Sequence, residues 1–308
     1  MNDTGSEKKT ALRWGVEKRM EFIEFRLLWE GGINRSDIVE QFGVSAPQAS
    51  NDLSQYKDAA PDNIEYDLSV KRYFASAKFK PLFLRPDSDR YLSQLKLIAD
   101  GMVSAQETWL SIIPSIDSIP VPHRHVDIKI LKPLVNAVRN KRALKVHYQS
   151  MSDNRPDPIW RWITPHAFAN DGMRWHVRAF CHLGNEFKDF LLSRFLDIGE
   201  DAEPGAPSSQ DHIWHESINV ILIPNPKLSM NQRAIIANDY GMNNTRLIIP
   251  VRKAILYYFK KRLRLDVAEA LDNPQEAPVV IENREVFDAA LAEKNPKTAP
   301  LTISVSAP

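Results

Sequence analysis

From Ala11 to Glu30 the apolar residues Val16, Met20, Ile23, Leu27 and Leu28 recur at helical spacing, and Gly31-Gly32 ends the run. Asn34 is placed to cap a short second helix carrying Ile38, Val39 and Phe42. The stretch FGVS (42–45) is a tight turn, with Gly43 free to take a left-handed backbone. Ser45 opens a third helix as S-x-x-Q, a capping box closed by Gln48, and that helix buries Ala49, Leu53 and Tyr56. After Pro61 the alternating IEYD and KRYFAS, joined through Leu68-Ser69-Val70, predict a β-hairpin. Turn, capped helix and hairpin together predict a winged helix-turn-helix, whose third helix enters the major groove.

Further on, a helix is expected over Asp89–Gly101, followed by the proline-punctuated IPSIDSIPVPH. A helix at 127–140, with Ile130, Leu134 and Val138, leads into ALKVHYQS, IWRWITPHAF, MRWHVRAFCH and FKDFLLSRFLDI. Four strands without long helices between them predict a small antiparallel barrel. Residues 200–210, EDAEPGAPSSQ, have linker composition. Beyond them lie the strand INVILIP, a helix Ala234–Tyr240 capped by Ser229, the strand TRLIIP and a helix Val251–Leu265. That last helix gathers Ile255, Leu256, Phe259 and Leu263 on one side, an apolar stripe suited to a dimer contact. After Asp272 the pattern turns loose and proline-containing, and no internal repeat is evident. The class is α+β. Expected boundaries are 1–80 for the winged helix, 81–122 for a helical linker, 123–200 for the barrel and 211–308 for the αβ extension.

The length of 308 residues suits about two or three domains, and 43% hydrophobic with 26% charged residues is globular composition. No apolar run approaches the roughly 20 residues of a bilayer span, so no membrane partner is expected. The opening MNDTGSEKKT has no apolar core, so no secretion signal is expected. The single cysteine, Cys181, excludes an intrachain disulfide and suits the reducing cytoplasm. No zinc spacing, phosphate loop, dinucleotide fingerprint or nucleophile elbow is present, so neither metal, cofactor nor catalysis is expected. Ser150 or Ser193 with His166 is only an imagined triad, with nothing to signal its geometry.

Charge is uninformative in total but not in distribution. Residues 1–80 carry 12 basic and 13 acidic side chains, net −1, whereas residues 123–194 carry 13 and 6, net +7, Arg155 included. Within the basic segment, strand alternation in DGMRWHVRAFCH puts Trp175, Val177, Ala179 and Cys181 on one face and Arg174, His176 and Arg178 on the other. Two arginines and a histidine on one face call for an anionic partner or a solvated exterior.

The middle segment resembles a WYL domain, an Sm-like β-barrel of bacterial transcription regulators. Trp175-His176-Val177 stands where that family has its name-giving tripeptide, keeping only the tryptophan; YQS (148–150), PHAF (165–168) and LSRFLDI (192–198) support the match. The front end, EKRMEFIEFRLLWEGGINRSDIVEQFGVSAPQASNDL, is similar to the BrxR/CapW repressors of phage-defence islands, and the resemblance covers about 20–275. It implies a homodimer, a double-stranded operator and a WYL domain that senses a nucleotide or nucleic-acid signal. On the third helix Gln48, Asn51, Ser54 and Gln55 are candidate base readers, Asn51 foremost, since Asn and Gln pair with adenine edges. Arg35, Lys57, Lys71 and Arg72 are phosphate contacts by type. The resemblance groups Tyr148, Ser150, His166, Arg174, Trp175, His176, Arg178 and Arg194 around an anionic effector. Trp160, Trp162 and Trp175 are expected as packing aromatics, with stacking on a nucleobase the physically available alternative. An effector-dependent activator and a single-strand or RNA-binding accessory protein remain alternatives to a repressor.

Overall fold

The computed structural model describes residues 4–153, 156–271 and 273–295. Arg155 and Asp272 lie outside the described residues. The chain forms two compact units, 1–120 and 121–308.

In the first unit, α1 (Thr4–Glu30) leads through the short β1 (Gly32–Ile33) into α2 (Arg35–Phe42) and α3 (Ala46–Ala59). The Asn34 side chain accepts from the Asp37 amide at 3.1 Å while Asp37 accepts from the Asn34 amide at 2.8 Å, so both ends of a capping box are made. Gly43 ends α2 at φ 64°, the left-handed turn the sequence predicts. The hairpin β2 (Ile64–Asp67) and β3 (Arg72–Ala75) forms, and β1 adds to it in the order β1-β3-β2. A two-residue strand leaves no alternation to read, which is why β1 is invisible in the sequence. Met20, Ile23, Leu27, Ile38, Ala49, Leu53, Tyr56 and Ile64 close one core. The helix α4 (Ser88–Ala99) packs on α1 through Phe25, Leu84, Leu95 and Leu110, so most of the stretch expected as linker belongs to this unit.

Glu24 organises that junction. It is fully buried on α1 and accepts from the Tyr56 hydroxyl at 3.1 Å and from the amides of Leu82, Phe83 and Leu84 at 2.6–2.7 Å. A buried acceptor serving three backbone donors fixes where the chain turns away from the wing.

The second unit opens with α5 (Ile128–Asn140), then β4 (Ala143–Tyr148), β5 (Ile159–Asn170), β6 (Trp175–Cys181), β7 (Glu186–Leu191) and β8 (Phe195–Ala202). The sheet is antiparallel in the order β7-β6-β5-β4-β8. FKDFLLSRFLDI is therefore two strands, because a 3-10 turn at Leu192–Arg194 breaks it. In a flat sheet four gaps of about 4.8 Å would set β7 and β8 about 19 Å apart, yet the chain from Leu191 to Phe195 spans at most about 14 Å. The sheet must curl, and register shifts in β4 and β5 allow it. Among the described residues no pairing of β7 with β8 closes a barrel. Leu134, Val146, Ile163, Val177, Ala179 and Phe190 fill the interior.

Next come α6 (His212–His215), β9 (Ser217–Pro224), α7 (Met230–Asp239), β10 (Leu247–Arg252), α8 (Leu256–Arg262), α9 (Leu265–Leu271), β11 (Val279–Ile281) and α10 (Arg284–Ala292). The expected helix Val251–Leu265 is corrected: Val251 ends in β10, and two shorter helices follow. The expected dimer stripe is also corrected. Leu256 is fully buried, and Ile255, Phe259 and Leu263 pack with it on Val220, Leu222 and Phe287 inside the chain's own core. Beyond Asp272 there is order, because β11 pairs with β9 and α10 sends Phe287 into that core. Among the described residues no helix is long and apolar enough to cross a membrane.

Glu24→Ala leaves three amides without an acceptor, so a loss of about 3 kcal/mol or more is expected in urea titration. Glu24→Gln keeps one acceptor oxygen and should lose less.

Candidate functional site

On α3 the residues Asn51, Ser54, Gln55 and Lys57 are exposed, opposite buried Ala49, Leu53 and Tyr56. Gln48 behaves differently from its expected part. The Ser45 hydroxyl does accept from the Gln48 amide at 3.3 Å, but the Gln48 carboxamide donates to Asp52 at 3.0 Å rather than closing a capping box. Asp52, wholly buried, draws it there and is itself held by Arg19 at 2.6 and 3.2 Å. Arg35 is exposed at the start of α2, and Lys71 is exposed at the wing tip with φ 52°. Arg72 is less free than its type suggests, since its Nη2 donates to the Gly32 carbonyl at 2.7 Å and ties β3 to β1. A Cβ at Gly32 would meet the Tyr73 carbonyl oxygen at 2.7 Å, so that close approach requires glycine.

The face of β6 bearing Arg174, His176 and Arg178 meets the chain's own carboxylates. Arg178 is buried, not an open rim. Its Nε and Nη2 donate to Asp211 at 2.7 and 3.0 Å, and its Nη1 donates to Asp189 at 3.2 Å. Asp211 also takes His166 at 2.9 Å and the Asn295 amide at 2.6 Å. Asp189 receives the Tyr258 hydroxyl from α8 at 3.1 Å. His176 is buried against the Tyr258 ring, with its Nε2 3.2 Å from Asp171. Arg174 is half-buried and paired with Asp171 at 2.7 Å. Burial would raise the Asp211 carboxyl, but hydrogen bonds from His166 and Arg178 hold it well below the usual carboxylate range. Asp171 is likewise brought down, against burial, to about 2 by the Met173 amide, Arg174 and His176. Burial pushes His182 down to about 4.

A second group lies around Tyr148. The Tyr148 hydroxyl accepts from the Leu191 amide at 3.1 Å, bridging β4 to the end of β7. Burial raises its hydroxyl pKa, while that amide and a hydrogen-bonded Arg194 oppose the rise. Arg194 sits in the 3-10 turn and not on a strand face, and Ser150 lies past the end of β4, where its hydroxyl accepts from the Ser152 amide at 3.2 Å. Trp175 is exposed at the start of β6, Trp162 is half-buried, and exposed Trp160 stacks on His147 at 5.0 Å.

Arg161 is the residue the sequence reading passed over. It is 5% exposed, its guanidinium lies 5.5 Å from the Tyr148 ring centre, and its buried Nε and Nη2 have no hydrogen-bond partner among the described residues. Alternation in IWRWI carried the signal: Ile159, Arg161 and Ile163 share a face, which aims an arginine inward. Asp211, Asp189 and Tyr258 carried no local signal, because their partners lie many residues away.

A winged helix-turn-helix followed by a curled sheet and an αβ module locked onto it is the build of a DNA-reading regulator. Comparison with known families agrees. Residues 15–97 match the BrxR transcriptional regulator winged helix-turn-helix domain, 129–199 the WYL domain, and 217–287 the BrxR transcriptional regulator C-terminal dimerization domain. The DNA-binding transcriptional repressor CapW of Stenotrophomonas maltophilia is 38% identical over 287 residues, covering 92% of this chain and 94% of that protein. Those of Escherichia coli strain KTE188 and Pseudomonas aeruginosa are 36% and 35% identical, each over 91% of this chain and 93% of the relative. The chain belongs to this CapW family of transcriptional repressors.

Arg178→Ala would take the guanidinium from buried Asp211 and half-buried Asp189, so a loss of about 3–5 kcal/mol is expected in urea titration. In acid the parent should lose stability in two windows. His182 is neutral in the fold, so stability falls as pH drops from about 6.5, the unfolded value, towards 4. Asp171 and Asp211 titrate below an unfolded aspartate, so their contribution, complete above about pH 5, is lost as pH falls further. Melting temperature against pH checks both, and His182→Gln should flatten the upper window alone.

Proposed function

We propose that this protein is a homodimeric repressor that reads a palindromic operator through α3 and the wing, and that an anion bound beside Tyr148 changes its hold on DNA. Arg161 carries the effector half of this reading. An arginine held out of water with unpartnered donors costs several kcal/mol unless something supplies acceptors. A phosphate does so, and Arg194 adds a second guanidinium on the same tyrosine. The effector class is therefore a nucleotide or short nucleic acid, bound by Tyr148, Arg161 and Arg194 with Ser150 nearby. Arg178, His166 and His176 act behind that site as structural partners of Asp211, Asp189 and Asp171. The short Leu191–Phe195 connection supports a sheet curled towards an Sm-like barrel.

On DNA, Asn51, Ser54 and Gln55 face the bases, with Arg35, Lys57 and Lys71 on phosphates. Gln48 joins them only by leaving Asp52, and Arg72 by leaving Gly32. A winged helix of net −1 gains affinity by doubling its contacts, which supports a dimer on half-sites about one helical turn apart. The names of the relatives support repression. The resemblance to regulators of phage-defence islands supports control of such a locus in the cytoplasm. The proposed domains are the winged helix of 1–80 with most of 81–122 packed onto it, the barrel of 123–200 and the αβ extension of 211–308, and no catalytic step is proposed.

The test is footprinting on the promoter of its own gene, with short single-stranded oligonucleotides titrated in. Asn51→Ala should cost about 1–3 kcal/mol and relax one base position. Arg161→Leu and Arg194→Ala should keep operator binding while weakening the oligonucleotide response about 10- to 100-fold. Arg161→Leu should also melt no lower than the parent, since it removes an unpaired buried charge. A normal response in both arginine variants overturns the effector site, and an unchanged Asn51→Ala footprint overturns the reading helix.

A further inference from the structure

The turn between β5 and β6, the approach to α5 and the end of α8 surround a cavity of about 270 Å³, and none of Tyr148, Arg161 and Arg194 lines it. Four cations do: Arg124 ahead of α5, Arg174 from the turn, and Lys261 and Arg262 from α8. The one carboxylate in the lining, Asp171, is fully engaged. It accepts from the Met173 and Arg174 amides at 2.9 and 2.7 Å and from the Arg174 Nε at 2.7 Å, and it stands 3.2 Å from the His176 Nε2. The two terminal nitrogens of Arg174 have no partner among the described residues, and neither has any part of exposed Arg124. Val126, two residues on, packs against the core of the central sheet and anchors that stretch. Arg262 uses one nitrogen, its Nη1 donating to the Gly172 carbonyl at 3.2 Å, which ties α8 to the turn. Lys261 meets Asp266 at 2.6 Å in a solvent-exposed pair outside the lining.

Cations in the last turn of a helix offset its dipole, which accounts for Lys261 and Arg262 but not for Arg124 and Arg174 beside them. Like charges gathered from three stretches of chain repel unless an anion joins them. Four cations against one carboxylate leave a surplus of three. One phosphoryl group brings only about −1.5 to −2 at neutral pH, so two are needed to balance the cavity. Guanidinium forks also match phosphate oxygens in geometry. We propose that this cavity binds a diphosphate group, as pyrophosphate or as the charged end of a nucleoside diphosphate, and that the bound anion clamps α8 to the β5–β6 turn. The site uses no residue of the proposed effector site beside Tyr148 and stands independently of it.

The experiment is calorimetric titration of inorganic pyrophosphate, and separately of adenosine diphosphate, into the full chain at fixed ionic strength, with a melting curve on every variant. The parent should bind pyrophosphate and melt higher in its presence. Arg124→Ala and Arg262→Ala should each weaken that binding about 10-fold or more, since each removes a charge-assisted contact. Arg161→Leu should leave it unchanged, which separates this cavity from the effector site. Arg124→Ala is the arbiter if Arg262→Ala melts low, because Arg124 holds nothing in the fold. Tighter binding of adenosine diphosphate than of pyrophosphate supports a nucleotide as the ligand, and equal binding supports the bare diphosphate. The proposal is overturned if the parent binds neither probe at millimolar concentration. It is equally overturned if binding survives both Arg124→Ala and Arg262→Ala, or is lost only in Arg161→Leu.

Discussion

One buried guanidinium governs how the second unit holds together. Arg178, in the middle of β6, is gripped by Asp211 from the approach to α6 and by Asp189 from β7. Tyr258 of α8 and Asn295 beyond α10 then lean on the same two carboxylates. A buried ion pair of this kind adds little net stability over an apolar substitute, because desolvation offsets most of the attraction. What it adds is position. Every donor has one acceptor within reach, so the sheet and the C-terminal helices can dock in one register only.

The same sheet holds a second buried arginine under the opposite condition. Arg178 has carboxylates on both sides, whereas Arg161 has the face of Tyr148 and, among the described residues, no acceptor for two of its nitrogens. On chemical grounds the difference supports the proposed role of Arg161 in anion binding. A satisfied arginine has nothing left to offer a ligand, while an unsatisfied one is destabilising until an anion arrives. The turn at Leu192–Arg194 sets Arg194 beside the end of β4 that carries Tyr148, which supports the proposed anion site.

In the first unit the buried acids play the comparable part. Asp52 draws Arg19 and Gln48 inward, and Glu24 collects three amides and a tyrosine hydroxyl. Between them they set the pitch of α3 against α1 and the exit of the chain from the wing. The outward residues of α3 are thereby presented by a rigid support.

Local patterning by itself determined much of this protein. The cap at Asn34, the glycine turn at Gly43, the Ser229 cap and the wing hairpin depend on residues within a few positions of each other, so the sequence displays them. The first three strands of the central sheet were legible for the same reason, whereas the break at Leu192–Arg194 that makes β7 and β8 separate was not. What only the tertiary structure decided is every choice of partner over distance. Strand alternation showed that Arg174, His176 and Arg178 share a face, but not that Asp211, 33 residues after Arg178, fills it. Amphipathic spacing showed that Ile255, Leu256, Phe259 and Leu263 share a side, but not whether that side faces a second copy or Val220 of the same chain. A periodic pattern specifies which residues must leave water together. It carries no information about which surface receives them, and that depends on the packing of the whole chain.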